Sequence, residues 1–410
     1  MNPAETASSP AADFDHLDPV VASDIYARLD TIRSGCPVAR SGRHGGFWLV
    51  TGYDEIRHIG KDGDVFGSYV EGLGAAAVVA GVEKQERAPL FEIDGKAHLE
   101  WWRVLQPWFT PAAAKEREEH VRALCRETIA DFAARGRADL VTAYTQRIPP
   151  LVIGAMLGLN SRDCTALSRR VRALSNARDA ESAQDAGDAL GAFLRDQVRR
   201  RMTEDLGDML SAIAHARVDG RRTRESEVLK FMFTMIAAGN LTTTDACANI
   251  LVEVLDDHAL RDRCAADPAY VQQVIEESVR HEPPVAATGR TVRAETELAG
   301  VALVPGDRVV IPWGAANRDP AYYPDGHQFR PGRDRPVPPH LGWGAGAHRC
   351  LGRHVARMEL AVMLEELLAA LPDLRWQPGA VVRRTYGVIR GVRAVDAEWT
   401  PRLSTRVLGP

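Results

Sequence analysis

Apolar residues recur at the three-to-four-residue spacing of amphipathic helices over most of the chain. The clearest start signal is Thr110 followed by Pro111, an N-cap residue and a proline at the first helical position. Gly136 stands where that helix should end. Further helices are predicted over residues 161–177, 181–204, 208–217 and 268–281. The pattern therefore predicts a mainly helical protein.

One predicted helix is much longer than the others. Residues 224–257 contain no proline and a single glycine, Gly239. At 1.5 Å per residue these residues form a helix roughly 45–50 Å long. Because a helix of that length crosses a whole domain, we expect the fold to be organised around it.

Strand patterns are few and short. Residues 47–51 are apolar and bounded by glycines, which predicts one strand. Residues 298–304 and 308–311 predict a hairpin that turns at Pro305 and Gly306, and residues 387–395 predict a further strand. Residues 316–342 are rich in Pro, Gly, Asp and Arg and predict a long structured loop.

The composition is that of a globular protein. Of the 410 residues, 45% are hydrophobic and 26% are charged, which excludes the disordered and collagen-like classes. No repeat and no linker divides the chain. We therefore expect a single mainly α domain with a small β portion over residues 15–410, and a disordered stretch over residues 1–14.

Charge, apolar runs and cysteines limit the function classes further. The 51 Lys and Arg against 55 Asp and Glu give a net charge of −4, so nucleic-acid binding has no electrostatic signature. The longest apolar stretches, 73–81 and 148–159, are too short to span a bilayer. The six cysteines are scattered without a CxxC pair, which is typical of a reducing compartment. We expect a cytoplasmic protein that binds neither a membrane nor nucleic acid.

The richest local signal is the segment 343–352, Trp-Gly-Ala-Gly-Ala-His-Arg-Cys-Leu-Gly. Its small residues let the backbone approach another group closely. Cys350 stands just before a predicted amphipathic helix, whose N-terminal N–H groups favour a negatively charged thiolate. Such a thiolate can be a nucleophile, a ligand of zinc or a ligand of heme iron. A zinc site needs about four ligands, and nearby there are only His340, His348 and His354.

The segment resembles the heme-binding loop of the cytochrome P-450 family, F-G-x-G-x-H-x-C-x-G, with Trp343 in place of the phenylalanine. Two more family motifs match. Glu277 and Arg280 resemble the E-x-x-R motif, with Arg333 as its third member, and residues 238–243 resemble the A-G-x-[D/E]-T-T of the long central helix. The resemblance runs from about residue 20 to 400 and implies the cytochrome P-450 fold, with the long helix over a heme.

The resemblance assigns the heme b contacts. It makes Cys350 the axial ligand of the iron, and it makes Glu277, Arg280 and Arg333 a structural ion-pair network behind the heme. The residues that it places at the propionates and in the loop are His98, Arg290, His348, Trp343, Gly344 and Gly346. Where the family has a propionate arginine, this chain has Trp102, with Arg103 one residue later, and either side chain can supply the contact. Trp343 either tunes the iron potential through its N–H and bulk or is a neutral replacement.

The central-helix motif departs from the family at one position. The resemblance makes Thr242 the hydroxyl that helps to deliver protons, with Gly239 leaving room for oxygen and water. A threonine can also bond back to the carbonyl one turn earlier. Leu241 replaces the usual acid. We therefore expect proton delivery through Thr242, Asn240, water or the substrate itself.

The resemblance implies a monooxygenase that uses O2 and two electrons from a separate ferredoxin or flavodoxin with its reductase. The predicted docking face for that partner carries Arg349, Arg353 and Arg357. Hydroxylation of an apolar or aromatic small molecule, in secondary or catabolic metabolism, is the expected reaction. Oxidative coupling with substrate-assisted proton delivery, a heme-binding protein without turnover and a zinc-thiolate protein are the alternatives. The substrate pocket is predicted to include Met235, Ile236, Ala238, Val285, Ala286 and Val388.

Overall fold

The computed structural model describes residues 11–70, 74–75, 89–175, 179–333, 338–385 and 387–401. Over these residues the protein is mainly helical with small sheets, as predicted. In chain order the α-helices are α1 Pro19–Ser23, α2 Ile25–Gly35, α3 Tyr53–Lys61, α4 Gly95–Leu105, α5 Pro111–Glu116, α6 Glu118–Ala130, α7 Pro149–Met156, α8 Ser161–Ser175, α9 Ala180–Thr203, α10 Met209–Ala214, α11 Glu225–Asp256, α12 His258–Ala266, α13 Pro268–His281, α14 Trp313–Ala316 and α15 Arg353–Ala370.

The strands are short. In chain order they are β1 Val38–Ser41, β2 Phe47–Val50, β3 Phe66–Gly67, β4 Tyr69–Val70, β5 Gly74–Ala75, β6 Arg137–Asp139, β7 Arg217–Val218, β8 Arg221–Arg222, β9 Ala287–Val292, β10 Thr296–Leu298, β11 Val301–Leu303, β12 Arg308–Pro312, β13 Arg375–Trp376 and β14 Asp396–Glu398. Within the described ranges, no helix has the length and apolar character needed to cross a membrane.

The chain divides into two compact units. The first comprises residues 1–99, 276–350 and 384–391, and the second comprises residues 100–275, 351–383 and 392–410. The expectation of one domain over residues 15–410 stays a prediction. Within the expected disordered stretch, residues 1–10 lie outside the described residues, whereas residues 11–14 form a turn and bury Ala11 and Phe14 in the core of the first unit.

The first unit is built on a five-stranded sheet with the order β1-β2-β12-β9-β3. β12 runs parallel to β2, with Val309 beside Trp48, and antiparallel to β9. The core on this sheet contains buried side chains from the strands and from α2 and α3, among them Phe47, Leu49 and Ile56. The apolar run predicted as a strand over residues 47–51 is therefore the second strand of this sheet.

The second unit is built around α11, whose 32 residues confirm the long helix that the sequence predicts. Glu227 accepts the backbone N–H of Arg224 at 2.8 Å and so caps the start of this helix. Gly239 lies against α7, where a Cβ atom would come within 3.3 Å of the Ile153 side chain. The single glycine therefore permits close packing of two helices without interrupting either.

Two strand predictions are wrong. β10 pairs with β11 and β12 pairs with β9, so residues 298–304 and 308–311 form no hairpin. The turn lies instead at Ala299 and Gly300, which both have positive φ, the backbone that a two-residue hairpin turn requires. Residues 387–395 form no strand and have only isolated bridges, one of which joins Ile389 to Val285. Which of these residues form strands was decided by pairing with strands that are distant in the sequence.

The helix predictions need smaller corrections. Thr110 caps α5 by accepting the N–H of Ala113, but the helix breaks at Arg117 and continues as α6 before Gly136 turns the chain in the left-handed region. The helix predicted over residues 208–217 ends at Ala214. Helices α8, α9 and α13 agree with the prediction, although residues 176 and 177 lie outside the described residues. The described part of residues 317–342 is an irregular loop, as predicted.

Candidate functional site

The cysteine loop, residues 341–350 of the first unit, is folded by its own backbone hydrogen bonds. The N–H of Cys350 donates to the carbonyl oxygen of Trp343 at 2.8 Å, and the N–H of Gly344 donates to Leu341 at 2.8 Å. The chain then enters α15 three residues after the cysteine. The loop thus holds Cys350 at a fixed position before a helix.

Two glycines allow this loop to pack directly against the backbones of α3 and α13. A Cβ atom on Gly346 would lie 2.0 Å from the carbonyl oxygen of Gly60 in α3, and one on Gly342 would lie 2.3 Å from the carbonyl oxygen of Val279 in α13. Gly344 and Gly346 also have positive φ angles of 75° and 66°, which glycine adopts without strain. At Gly342 and Gly346 no other residue type fits without moving the backbone.

The other cysteines are placed differently. Burial raises the pKa of Cys125 and Cys264 to about 12 and that of Cys164 to about 11, and it also raises the pKa of Cys247. Cys36 donates its thiol hydrogen to the carbonyl of Val38 at 3.0 Å. None of the six forms a disulfide. Among the described residues, no three His, Cys, Asp or Glu side chains are grouped so that they could hold a metal ion.

Trp343 points its indole N–H to a carboxylate. The N–H donates to Glu276 Oε2 at 3.4 Å, and His340 Nε2 donates to the same oxygen at 3.1 Å. His340 Nδ1 accepts the N–H of Gly342 at 3.2 Å, so its ring hydrogen is on Nε2. Trp343 therefore braces the loop against α13, a contact that neither interpretation of this residue included.

The three residues of the predicted ion-pair network meet in the first unit. The Arg280 guanidinium makes two 2.8 Å hydrogen bonds to the Glu277 carboxylate, and Arg333 Nε donates to the same group at 3.0 and 3.1 Å. Arg280 also donates to the carbonyls of Asn317 and Gly326 at 2.8 Å. Because Glu277 and Arg280 are almost fully buried, these bonds compensate charges that water does not reach.

A second polar cluster surrounds His348. Its Nε2 donates to Asp94 Oδ1 at 2.8 Å and lies 3.2 Å from the hydroxyl of Ser68. Asp94 also accepts the N–H of Ser68 at 2.8 Å and the Arg293 guanidinium at 2.5 Å. Burial alone would raise the pKa of Asp94, but the hydrogen bonds from His348 and Ser68 and the nearby positive charges hold it well below its usual range.

His98 and Arg290 complete this cluster in the first unit. The rings of His98 and His348 lie 4.4 Å apart, and burial together with the charge of His348 lowers the pKa of His98 to about 4. Arg290 donates to the carbonyl of Gly289 at 2.7 Å, and within the described part of the chain no carboxylate pairs with it. Burial lowers the pKa of Arg290, which the Asp94 charge opposes. A desolvated cation of this kind suits a carboxylate ligand.

Trp102 and Arg103 on α4 are the two candidates for the propionate contact that the family makes with an arginine. Trp102 follows His98 by four residues on α4 and is therefore on the same face of that helix, whereas Arg103 is one residue further round. Trp102 is half-buried and Arg103 is exposed. The propionate contacts of both residues remain predictions.

On α11 the hydroxyl of Thr242 donates to the carbonyl oxygen of Ala238 at 2.8 Å, which is the bond back to the preceding turn that the sequence analysis considered. Thr242 is half-buried and Leu241 is 40% exposed. Asn240 is buried and lies about 160° round the helix from Thr242. Asn240 therefore does not share the face of Thr242, and its role in proton delivery stays a prediction.

The predicted substrate residues separate into two kinds. In the first unit, the N–H of Ala286 donates to the carbonyl of Val388 at 2.8 Å and Val285 bridges to Ile389, so Val285, Ala286 and Val388 lie together. On α11, Ala238 is half-buried, but Met235 and Ile236 are only 7% and 4% exposed. Met235 and Ile236 therefore belong to the core of the second unit, because the accessible face of α11 lies elsewhere on the helix.

Sequence reasoning missed several buried or half-buried acids. Asp94 precedes α4, and its partners come from distant segments, so no local signal marks it. Glu359 adjoins the apolar run 360–364 of α15, which is a signal that the sequence did contain, whereas Asp245 follows three threonines on α11 and no local signal marks it. Burial raises the pKa of Asp245 to about 7 and that of Glu359 to about 8.

The residues of the first unit fit the heme that the resemblance implies. The loop that holds Cys350 before α15 is packed through Gly342 and Gly346 against neighbouring backbone, which fixes the position of a thiolate ligand. The desolvated Arg290 and the two histidines are the donors that two carboxylates require. The donor set therefore matches a thiolate-ligated heme with its propionates.

Comparisons with known proteins agree with these features. A family model described as Cytochrome P450 matches residues 174–372. The mycinamicin IV hydroxylase/epoxidase of Micromonospora griseorubida is 31% identical over 351 residues, which cover 82% of this chain and 87% of that protein. The erythromycin C-12 hydroxylase of Saccharopolyspora erythraea is also 31% identical, over 83% of this chain and 85% of that protein.

Solved structures give the same result. A post-tailoring hydroxylase involved in himastatin biosynthesis matches with a TM-score of 0.82 and 28% identity, over 91% of this chain and 96% of that one. Because this chain spans most of both hydroxylase relatives and nearly all of a solved hydroxylase, it belongs to the cytochrome P450 family and is a monooxygenase of the heme-iron type.

Proposed function

We propose that Cys350 is the axial ligand of the iron in a heme b. The glycine-lined loop that holds Cys350 before α15 is the observation that carries this assignment. Burial keeps four of the other cysteines as thiols, and the fifth, Cys36, bonds to a carbonyl. When bound, a heme with a thiolate ligand activates O2 and favours cleavage of the O–O bond.

The cluster of the first unit would hold the heme propionates. His98, Arg290 and His348 are the donors, and Asp94 orients His348 by accepting its Nε2 hydrogen. The Asp94 contact leaves the other nitrogen of that ring, Nδ1, for a further hydrogen bond. Arg290 would gain the carboxylate partner that it lacks among the described residues.

The reduced carbon-monoxide difference spectrum tests the ligand. Cys350→Ala should lose the thiolate-type band, because no other cysteine can take its place in the loop. Cys36→Ala is the matched control, since Cys36 is also half-buried, and it should keep the band at wild-type intensity. An unchanged spectrum in Cys350→Ala would refute the assignment.

We propose that the substrate is an apolar secondary metabolite, which the enzyme hydroxylates or epoxidises. Relatives named as mycinamicin IV hydroxylase/epoxidase and erythromycin C-12 hydroxylase support this substrate class. Over residues 231–252 of α11 the accessible residues are also mostly apolar, with Phe233 at 36% and Leu241 at 40% exposure. An apolar face of this kind favours ligands with little charge.

A ligand screen by spin-state shift tests the substrate class. Mycinamicin IV, which the name of one relative gives as its substrate, should shift the spectrum, whereas free amino acids should not. The products then distinguish the reactions: one added oxygen atom means hydroxylation or epoxidation, and loss of two hydrogens means oxidative coupling. The coupling alternative is kept because Leu241 stands where the family pattern has an acid.

We propose a ferredoxin or a flavodoxin as the electron donor, with Arg349, Arg353 and Arg357 on its docking face. Arg349 is exposed next to the cysteine, and Arg353 and Arg357 lie one turn apart at the start of α15. Attraction between these arginines and an acidic donor is screened by salt. The second-order rate of reduction should fall as ionic strength rises, and a rate independent of salt would contradict this docking face.

A further inference from the structure

The long helix α11 has one accessible stripe in its central part. From residue 231 to residue 252 most side chains are buried, and the accessible positions recur at helical spacing. They are Phe233, Ala237, Ala238, Gly239, Leu241, Thr242 and Asp245. From residue 246 to residue 252 every residue is buried, so Asp245 ends the stripe. It is the single ionisable residue on it.

The helix geometry puts Asp245 in the middle of this face. At about 100° per residue, Asp245 lies about 60° from Thr242 and about 40° from Leu241 around the helix axis. It is one turn along from Thr242, the spacing at which helical side chains are neighbours. An acid absent at position 241 is therefore present one turn later on the same stripe.

The surroundings of Asp245 leave its carboxyl uncompensated. Among the described residues, no side chain hydrogen-bonds or ion-pairs with it, and burial is the one cause that raises its pKa to about 7. Helices α7, α9, α10, α12 and α15 pack on α11. Among them, α7 and α10 have no titratable side chain, and the buried titratable side chains of the others are Arg201 on α9, Cys264 on α12 and Glu359 on α15. The turn over residues 141–145 contributes Tyr144, and α11 itself carries Cys247. None of these charges contributes to the shift in Asp245.

Thr242 is suited to receive a proton from this side. Its hydroxyl hydrogen is donated to the carbonyl of Ala238, so its oxygen remains able to accept a hydrogen bond. Asn240, which the sequence also suggested, is buried on the opposite side of the helix. Asp245 is thus the acid that this chain offers next to Thr242.

We propose that Asp245 is the acid that supplies protons to the Thr242 face of α11, in place of the acid that the family pattern has at position 241. This inference rests on the proposed heme-thiolate function. The proton leaves the Asp245 carboxyl, passes through water to the Thr242 face, and is replaced from solvent. In each turnover, substrate, O2, two electrons and two protons give the oxygenated product and one water, so the carboxyl is needed repeatedly and is not consumed.

Substrate-free turnover tests the proposal with O2 itself as the probe. The holoenzyme, supplied with a surrogate ferredoxin and reductase, reduces O2 to hydrogen peroxide with two electrons and two protons, or to two waters with four of each. Asp245→Asn should slow O2 consumption at least about tenfold, because a positioned acid contributes roughly 10²–10⁴-fold. Asp256→Asn, a change of an exposed acid at the end of α11, is the matched control and should keep the wild-type rate.

Two readouts distinguish proton supply from a structural role. The rate of the wild type should fall as the pH rises above about 7, and Asp245→Asn should lack that dependence. Leu241→Asp in the Asp245→Asn background should recover part of the rate, because it returns an acid to the same face. Independently of turnover, a carboxyl C=O infrared band that titrates near pH 7 should be present in the wild type and absent in Asp245→Asn.

Failure of the Asp245 proposal can be distinguished from failure of the proposed heme-thiolate function. A wild-type protein without the thiolate-type carbon-monoxide band would refute the proposed function. A wild type with that band, together with wild-type O2 consumption and pH profile in Asp245→Asn, would refute only the role of Asp245. Should Asp245→Asn fail to fold, Asp245→Glu decides: it should keep the rate with a shifted pH profile, and an unshifted profile contradicts the proposal.

Discussion

Four acids with little access to solvent, two in each compact unit, differ in whether they have partners. In the first unit, Asp94 and Glu277 each bind cationic or N–H partners, and the pKa of Asp94 lies well below its usual range. In the second unit, Asp245 and Glu359 have no such partners among the described residues, and burial raises the pKa of each. Compensated acids fix the position of their partners, whereas uncompensated acids can hold and release a proton near neutral pH.

The largest expected effect comes from the ion-pair network. Glu277→Gln leaves Arg280 and Arg333 facing a neutral amide, so the free energy of unfolding should fall by about 3–5 kcal/mol, as measured by urea titration. The control is Glu119→Gln, which removes an exposed partner of Arg126 and should produce no measurable change. Equal free energies of unfolding for the wild type and Glu277→Gln would contradict this prediction. They would show that the hydrogen bonds of Glu277 do not offset the cost of burying the charges.

Replacing Glu359 should have the opposite effect on stability above neutral pH, because the Glu359 carboxylate has no compensating partner among the described residues. A raised folded-state pKa means that stability is full below the ordinary pKa of 4.5 and is lost as the pH rises toward about 8. Glu359→Gln should therefore be less stable than, or equal to, the wild type at pH 5 and more stable at pH 8, by about 2–4 kcal/mol. Thermal unfolding at both pH values measures the difference. Glu116→Gln, an exposed change on α5, should keep the wild-type pH dependence.

The smallest of these effects is expected at Asp94. Asp94→Asn weakens the contacts to His348 and Arg293 and should cost about 1–3 kcal/mol of unfolding free energy. Because the pKa of Asp94 is depressed, this stability is present above its ordinary value of 3.8 and is lost as the pH falls further. Ser68→Ala, which removes only a hydroxyl contact in the same cluster, should cost about 0.5–1.5 kcal/mol. A larger loss of unfolding free energy in Ser68→Ala than in Asp94→Asn would contradict the prediction that the Asp94 carboxylate is the main stabilising group of this cluster.

Local signals in the sequence were sufficient for helices α8, α9, α11 and α13 and for the cysteine loop. The absence of proline over residues 224–257 predicted α11, because one glycine does not stop a helix whose neighbours favour it. The glycines of the loop predicted close backbone contact, and the structure shows which backbones they meet, at Gly60 and Val279. These features depend on residues near one another in the chain, so a single sequence contains them.

Strand pairing could not be predicted in the same way. The run 308–311 is a strand as expected, but it pairs with β9 and β2, and its expected hairpin partner turns at Ala299 instead. A strand pattern states which residues can lie in a sheet and does not state which strand they pair with. The same limit explains residues 387–395, which were expected to form a strand and instead form only isolated bridges.

The sequence by itself was enough for the family, the long helix and the members of the E-x-x-R network, because each depends on residue types at fixed spacings. Only the tertiary structure decided which acids are compensated. The partners of Asp94 come from residues 68, 293 and 348, and the exposure of Asp245 depends on which sides of α11 other helices cover. The charge state of a buried acid is set by its neighbours in space, and folding brings those neighbours from distant parts of the chain.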